Sequence, residues 1–268
     1  MVKIARGGEG SSRTVDMGRS AGYDENNKDK RTGKVGVNME EKTRGLSGNQ
    51  LKLIAMAAMF LDHLGAHLYP RYALLRIIGR IAFPIFAFMI AEGCRYTRSP
   101  RRYLLKIGAL ALVCQIVSTV ATGSLYQSVL VTFTLSIGLI FCLEDCRRKR
   151  DVPSLLAAVL LGSVILFLCE VLPMLLPGTD FCIDYGIFGV LLPVAVYFAR
   201  DKKERLLAAA VLLMALGVVY GDPQWYGLLT LPLLMAYNGT RGKGKLKYLF
   251  YVFYPAHLAL IYLMGLIL

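Results

Sequence analysis

Nine apolar stretches, at about 49–68, 76–94, 103–122, 128–145, 153–172, 184–199, 205–220, 225–237 and 248–268, divide the chain. Most have the length at which a helix crosses a hydrocarbon core, about 20 residues, rather than that of an ordinary core helix. The sixth, seventh and eighth are shorter; these tilt little, thin the bilayer locally or lie partly at the interface. At 56% hydrophobic residues and a mean hydropathy of +0.52, the chain is too apolar for an average soluble domain. The expected fold is all-α: a polytopic transmembrane bundle of about nine spans.

The connections carry a second pattern. Those reading RYTRSPRRYLLK, EDCRRKRD, RDKKER and NGTRGKGKLK are basic, whereas GSLYQS, PMLLPGTDFCID and GDPQW contain no lysine or arginine. Basic connections thus fall in every second position. The positive-inside rule then puts the N-terminus in the cytoplasm and the C-terminus outside. The net charge of +13 is therefore read as topology signal and contact with anionic lipid headgroups, with no nucleic-acid partner expected. The cysteines, six in all, form no CxxC pair and read as small buried hydrophobes. Residues 1–48 have no apolar core of a signal peptide and mix Gly, Ser, Asn and charges of both signs. They are expected to be a disordered polar tail ahead of a transmembrane domain over 49–268.

Candidate chemistry concentrates in Leu51 to Leu68, LKLIAMAAMFLDHLGAHL. An ionisable group in hydrocarbon costs at least about 2.5–3.5 kcal/mol, yet this run keeps Lys52 and an adjacent Asp62-His63. Lys52 and His63 are eleven residues apart, so they share a helix face about 16 Å apart along the axis, with Met56 and Met59 between them. Histidine is the side chain most used as general base near neutral pH, and a neighbouring carboxylate can orient it. Sequence neighbours on a helix point about 100° apart, however, so Asp62 has a second reading as the ion-pair partner of another helix. Arg80 is that partner, or else a stabiliser of negative charge on an acyl oxygen. Pro84 is expected to kink the second span between Arg80 and Glu92. Glu92, close to Arg95, reads as structural, and Asp184 as a helix N-cap. Asn238-Gly239 reads as a turn. In the last span Tyr254 and His257 share a face, and His257 is placed to meet His63 across a central cavity. His63 and His67 lack the further ligands a zinc site needs, so no metal is expected.

The runs LKLIAMAAMFLDHLGAHLYP, IGRIAFPIFAFMIAEGCRYTRS and YNGTRGKGKLKYLFYVFYPAHL, with TFTLSIG and DYGIFGV between them, resemble the TraX family of bacterial membrane proteins over residues 48–268. That resemblance implies acetylation of the N-terminal amine of conjugative pilin, with acetyl-CoA as donor. The chain is also similar to the wider acyltransferase-3 class of membrane enzymes, which modify envelope sugars. That class pairs a basic residue with a histidine eleven positions later in its first span, here Lys52 and His63, with lysine where arginine is usual. Lysine lacks the two-pronged grip of arginine on phosphate. The second-span arginine of the class corresponds to Arg80. The implied protein is a multi-pass acetyltransferase of the bacterial cytoplasmic membrane, acting on a protein amine or an envelope glycan. His63 and Asp62 would be catalytic, with Lys52, Arg80, His257, Tyr254, Arg101 and Arg102, helped by Arg98 and Lys106, holding the donor or substrate. The rival is a proton-coupled small-molecule transporter whose buried Asp and His relay protons.

Overall fold

The computed structural model describes residues 45–243 and 247–267, so the tail expected over 1–48 lies outside it except where its end enters the first helix. Among the described residues every regular element is helical. In order they are α1 (Gly48–His67), α2 (Ala73–Gly79), α3 (Ala82–Tyr96), α4 (Pro100–Thr122), α5 (Val129–Lys149), α6 (Val152–Leu166), a π-helical turn (Phe167–Val171), α7 (Leu172–Leu175), α8 (Gly186–Phe198), α9 (Lys202–Tyr220), a 3₁₀ helix (Gln224–Thr230), α10 (Leu231–Met235) and α11 (Lys247–Ile267).

Local chemistry sets these boundaries. Ser47 and Gln50 form a reciprocal capping box at the start of α1, which satisfies two of its otherwise orphaned donors. Asp151 caps α6 through the Ser154 amide, and Asp201 caps α9 through that of Glu204. Gly123, with φ of +70°, closes α4 in the left-handed conformation that glycine adopts without strain. The second apolar run is broken at Arg80–Ile81, at the N-terminal edge of the interval from Arg80 to Glu92 in which a kink is expected and a turn before Pro84. The cause is still Pro84: it has no N–H for the carbonyl four residues back, which belongs to Arg80. The hydroxyl of the fully buried Thr230 donates to the neighbouring Ile81 carbonyl across the break.

Four segments are long and apolar enough to cross a membrane: 73–96, 100–122, 129–149 and 152–175, with shorter apolar helices at Gly186–Phe198 and Tyr251–Gly265. The chain is a membrane protein. All nine apolar runs coincide with helical elements, but length and apolarity qualify only these four among the described residues. α1 is 20 residues long, and Lys52, Asp62 and His63 lower its hydropathy. Burial separates inner from outer helices: half of the 73–96 segment is covered by protein, against 17% for 100–122 and for 152–175. Leu112, Val113, Val117 and Val120 on α4, and Leu156, Val159 and Leu160 on α6, are exposed side chains whose natural solvent is lipid.

At the centre α3 packs against α1, α5 and α8 through Phe83, Ile85, Phe88 and Met89, and α11 lies along α1. Ser136 of α5 donates to the Val190 carbonyl of α8 at 2.9 Å, a polar tie between inner helices.

The connections gather into two groups. The Leu46 amide donates to the Ala236 carbonyl and the Asn238 amide to the Leu46 carbonyl, and the amides of Gly48 and Asn49 donate to the Thr240 and Arg241 carbonyls. The expected turn at Asn238-Gly239 is present, with the Asn238 side chain accepting from the Thr240 amide. Lys202 donates to the carbonyls of Met235 and Tyr237, Arg205 pairs with Glu92 at 2.8 Å, and Arg95 donates to Tyr197 and Ala199. These contacts draw together the start of α1 and the connections after α3, α8 and α10. At the other end Ser124 and Leu125 donate to Asp180, Tyr126 to Asp184, and the Gln127 amide to Cys182.

Candidate active site

The last third of α1 meets the break between α2 and α3. Gly79 makes this possible: a Cβ there would lie 2.6 Å from the Asp62 Cα. With the helices this close, Arg80 lays its guanidinium edge along the Asp62 carboxylate, Nε to Oδ1 at 3.2 Å and the second nitrogen to Oδ2 at 2.5 Å. Arg76, one turn earlier on the same face, reaches Oδ2 at 3.0 Å and also donates to the Asp62 carbonyl. Two guanidiniums against one carboxylate leave the cluster with a net positive charge. Arg80 is 7% exposed and Asp62 13%, so the fork is shielded from bulk solvent, while Arg76 is 32% exposed. The remaining nitrogen of Arg80 faces the Tyr185 hydroxyl at 3.5 Å. The Tyr185 ring is stacked on Phe83 at 3.7 Å.

The carboxylate thus serves Arg80 and Arg76, and the reading of Asp62 as orienter of His63 does not match its hydrogen bonds. The cause is the angle between adjacent helical side chains: Asp62 faces α2 and α3, while His63 faces α11. There His257 of α11 places Nε2 3.0 Å from Nδ1 of His63, and its own Nδ1 lies 2.9 Å from the Phe253 carbonyl. The His257 ring is 3% exposed, stacked on Phe253 at 4.8 Å and met edge-on by Tyr254 at 5.5 Å. His63 itself is only partly buried, and its ring stacks over the exposed His67 at 6.2 Å.

The structure therefore gathers His63, His257, Tyr254, Asp62 and Arg80, drawn from α1, the α2–α3 break and α11. Lys52 stands apart, partly buried near the start of α1 and about 16 Å from His63 along the helix. Arg98, Arg101, Arg102 and Lys106 are exposed around the first turns of α4, on the end of the molecule that holds the start of α1. Glu92 is structural, but through Arg205 and the Tyr237 hydroxyl rather than Arg95. Asp184 is not the cap of α8. Tyr185 holds that position, and the Asp184 carboxylate takes the Tyr126 hydroxyl at 2.7 Å instead. Arg76 and Tyr185 were not singled out from the sequence. The four-residue spacing of Arg76 and Arg80 was the available sign for the first; nothing marked the second. A surface cleft of about 240 Å³ between the ends of α5 and α6 carries none of these residues. Among the described residues no three metal-ligating side chains converge.

What the cluster offers chemically is a partly buried imidazole, hydrogen-bonded at Nδ1 to a second one, beside a fixed positive charge. That combination suits a general base or nucleophile acting where negative charge develops.

The family model described as TraX protein matches residues 47–265. A protein named probable fimbrial assembly protein FimC, serogroup H1, from Dichelobacter nodosus is 28% identical over 248 residues, covering 80% of this chain and 94% of that one. A protein named TraX from Escherichia coli is 25% identical over 224 residues, covering 79% and 84%. An uncharacterized protein, RP591, from Rickettsia prowazekii is 27% identical over 171 residues, covering 63% and 62%. No solved structure matches.

Proposed function

Because the chain belongs to the TraX family, we propose that it is a pilus-related membrane acetyltransferase, moving an acetyl group from cytoplasmic acetyl-CoA to an amine or hydroxyl acceptor. The pilin N-terminus is the first candidate acceptor, in keeping with relatives named for TraX and for fimbrial assembly, and an envelope sugar the second. The observation that carries this reading is the half-buried His63, held ring to ring by His257 beside the net-cationic Arg76–Asp62–Arg80 cluster.

The donor enters from the cytoplasm. Arg98, Arg101, Arg102 and Lys106 take the CoA phosphates, for which clustered guanidinium and ammonium donors are suited. Lys52 guides the pantetheine arm along α1, and the thioester reaches His63 on the span of about 16 Å between them. His63 removes the proton as the acceptor nitrogen or oxygen attacks the thioester carbonyl. Arg80 braces Asp62, and the net charge of the cluster favours the tetrahedral oxyanion. The intermediate collapses with cleavage of the carbon–sulfur bond, and His63 returns the proton to the departing CoA thiolate. Acetyl-imidazole as a covalent intermediate uses the same residues in two steps.

In this reading the protein has nine spans in the bacterial cytoplasmic membrane, with its N-terminus inside. The gathering of the basic connections at one end supports that arrangement.

The test is transfer of labelled acetyl from acetyl-CoA by wild type and by His63→Ala at equal membrane abundance. Loss of transfer in the variant is expected; wild-type rates would refute the role of the histidine. Mass spectrometry of pilin and of envelope polymer from a deletion strain distinguishes the two acceptors. A transporter would bind no acetyl-CoA and would move a solute in liposomes.

A further inference from the structure

We propose that His257 is a positioning residue that fixes the tautomer of His63, leaving the lone pair on His63 Nε2. The argument starts at the Phe253 carbonyl, which can only accept a hydrogen bond. The His257 Nδ1, 2.9 Å away, therefore carries a proton. In a neutral imidazole the other nitrogen is then an acceptor. That atom, Nε2, lies 3.0 Å from Nδ1 of His63, so the His63 Nδ1 is the donor. A neutral His63 with its proton on Nδ1 has its lone pair on Nε2, the nitrogen turned away from the pair.

The opposite assignment makes His257 a doubly protonated cation donating to His63. That cation would sit 3% exposed, between the rings of Phe253 and Tyr254, with His67, Arg76 and Arg80 near its partner and Asp62 already engaged by both arginines. A buried charge without a counter-ion is strongly disfavoured, so the neutral chain from carbonyl to His257 to His63 is the stable one. The logic is that of a carboxylate holding a catalytic histidine in one tautomer. Here a helix carbonyl and a second imidazole do it without adding a negative charge.

For the transfer reaction, on whose reading the kinetic part of this inference rests, the consequence is directional. The His63 Nε2 takes the acceptor proton, the ring becomes an imidazolium still donating through Nδ1 to His257, and the same proton leaves from Nε2 to the CoA thiolate. His257 never exchanges a proton with substrate.

The experiment has two arms. Nitrogen-15 NMR of histidine-labelled protein in nanodiscs reads the tautomers with no substrate present. The expected result is Nδ1–H on both rings, with His63 Nε2 unprotonated. Nε2–H on His63 overturns the proposal. In the second arm His257→Leu removes the acceptor, and a fall in kcat of about 10²-fold or more with KM for acetyl-CoA unchanged is expected, in the range that general-base catalysis contributes. His257→Asn, whose side-chain oxygen accepts from His63, restores part of kcat. Unchanged kcat in the leucine variant, or equal loss in both variants, overturns the positioning role. If wild type itself transfers no acetyl group, the acetyltransferase reading falls, and the NMR arm still decides the tautomer.

Discussion

Arg80 is the costliest residue in the site to disturb. Its guanidinium is almost wholly covered, and its two-point fork is what makes the burial of Asp62 tolerable. Removing one member of a buried pair leaves an uncompensated charge, at a cost of about 3–5 kcal/mol, whereas replacing both with apolar side chains is often neutral. Arg80→Met is therefore expected to lower the thermal midpoint of the detergent-solubilised protein sharply, and Asp62→Leu in the same chain to recover most of it. Arg80→Lys should fall between, since one ammonium cannot span both oxygens. If the double variant is no more stable than Arg80→Met, the fork is not the reason these two charges are kept. This part of the site was half legible. The sequence put Asp62 and Arg80 in neighbouring spans and left their pairing open beside an Asp62–His63 pairing. Adjacency in the chain favoured the wrong neighbour, because helical geometry turns adjacent side chains apart. The contact of His257 with His63 was legible as two apolar-run histidines at similar depth, but the Phe253 carbonyl was not, since a backbone atom leaves no trace in composition.

Among the elements, the α1–α2 contact depends on Gly79 in a way no propensity announces. A methyl group there meets Asp62 from Cα outward, backbone included, so the helices have to part. Gly79→Ala is expected to destabilise by about 1–3 kcal/mol, the usual cost of overpacking, despite alanine's better helix propensity. A circular-dichroism melt at or above the wild-type midpoint would contradict the close approach. Helix positions were otherwise readable, because apolar runs and capping residues both report on local physics. The break at Arg80–Ile81 falls a turn before Pro84, since proline acts on the carbonyl four residues behind it. A second element-level device joins the connections after α4 and α7. The Ser124 hydroxyl and then the Leu125 amide hold the Asp180 carboxyl below the usual carboxylate range. A depressed folded value means the contact contributes above the unfolded pKa, about 3.9, and is lost as pH falls through the folded one. A carbon-13 titration of Asp180 should thus show a midpoint below that of a free aspartate, and Ser124→Ala should raise it. A midpoint unmoved by that change would remove the hydroxyl as the cause.

For the whole molecule the shortest helices decide the number of crossings. α8 has 13 residues and is about 20 Å long, well short of a hydrocarbon core of about 30 Å. Irregular backbone at membrane depth is tolerated only where protein or a watery cavity covers it. The stretch leading into α8 meets that condition, because the Asp184 carbonyl accepts from the fully buried Thr132 at 2.7 Å and the Asp184 amide donates to Gln127. Under the proposed nine-span topology, this lead-in and α8 together make one crossing. In the same topology the 3₁₀ helix running into α10 makes another, its Thr230 hydroxyl placed on the carbonyl at the α2–α3 break. Counting both keeps Arg101, Arg147, Lys203 and Lys243 on one side and Ser124, Gly178 and Asp222 on the other, in accord with the positive-inside rule. A reporter active only in the cytoplasm should accordingly work when fused after Arg102, Arg150, Lys203 or Lys243, and fail after Leu125, Gly178 or Asp222. Activity after both Lys203 and Asp222 would remove α9 as a crossing. The C-terminus would then move inside, and the phase of the basic connections would lose its meaning.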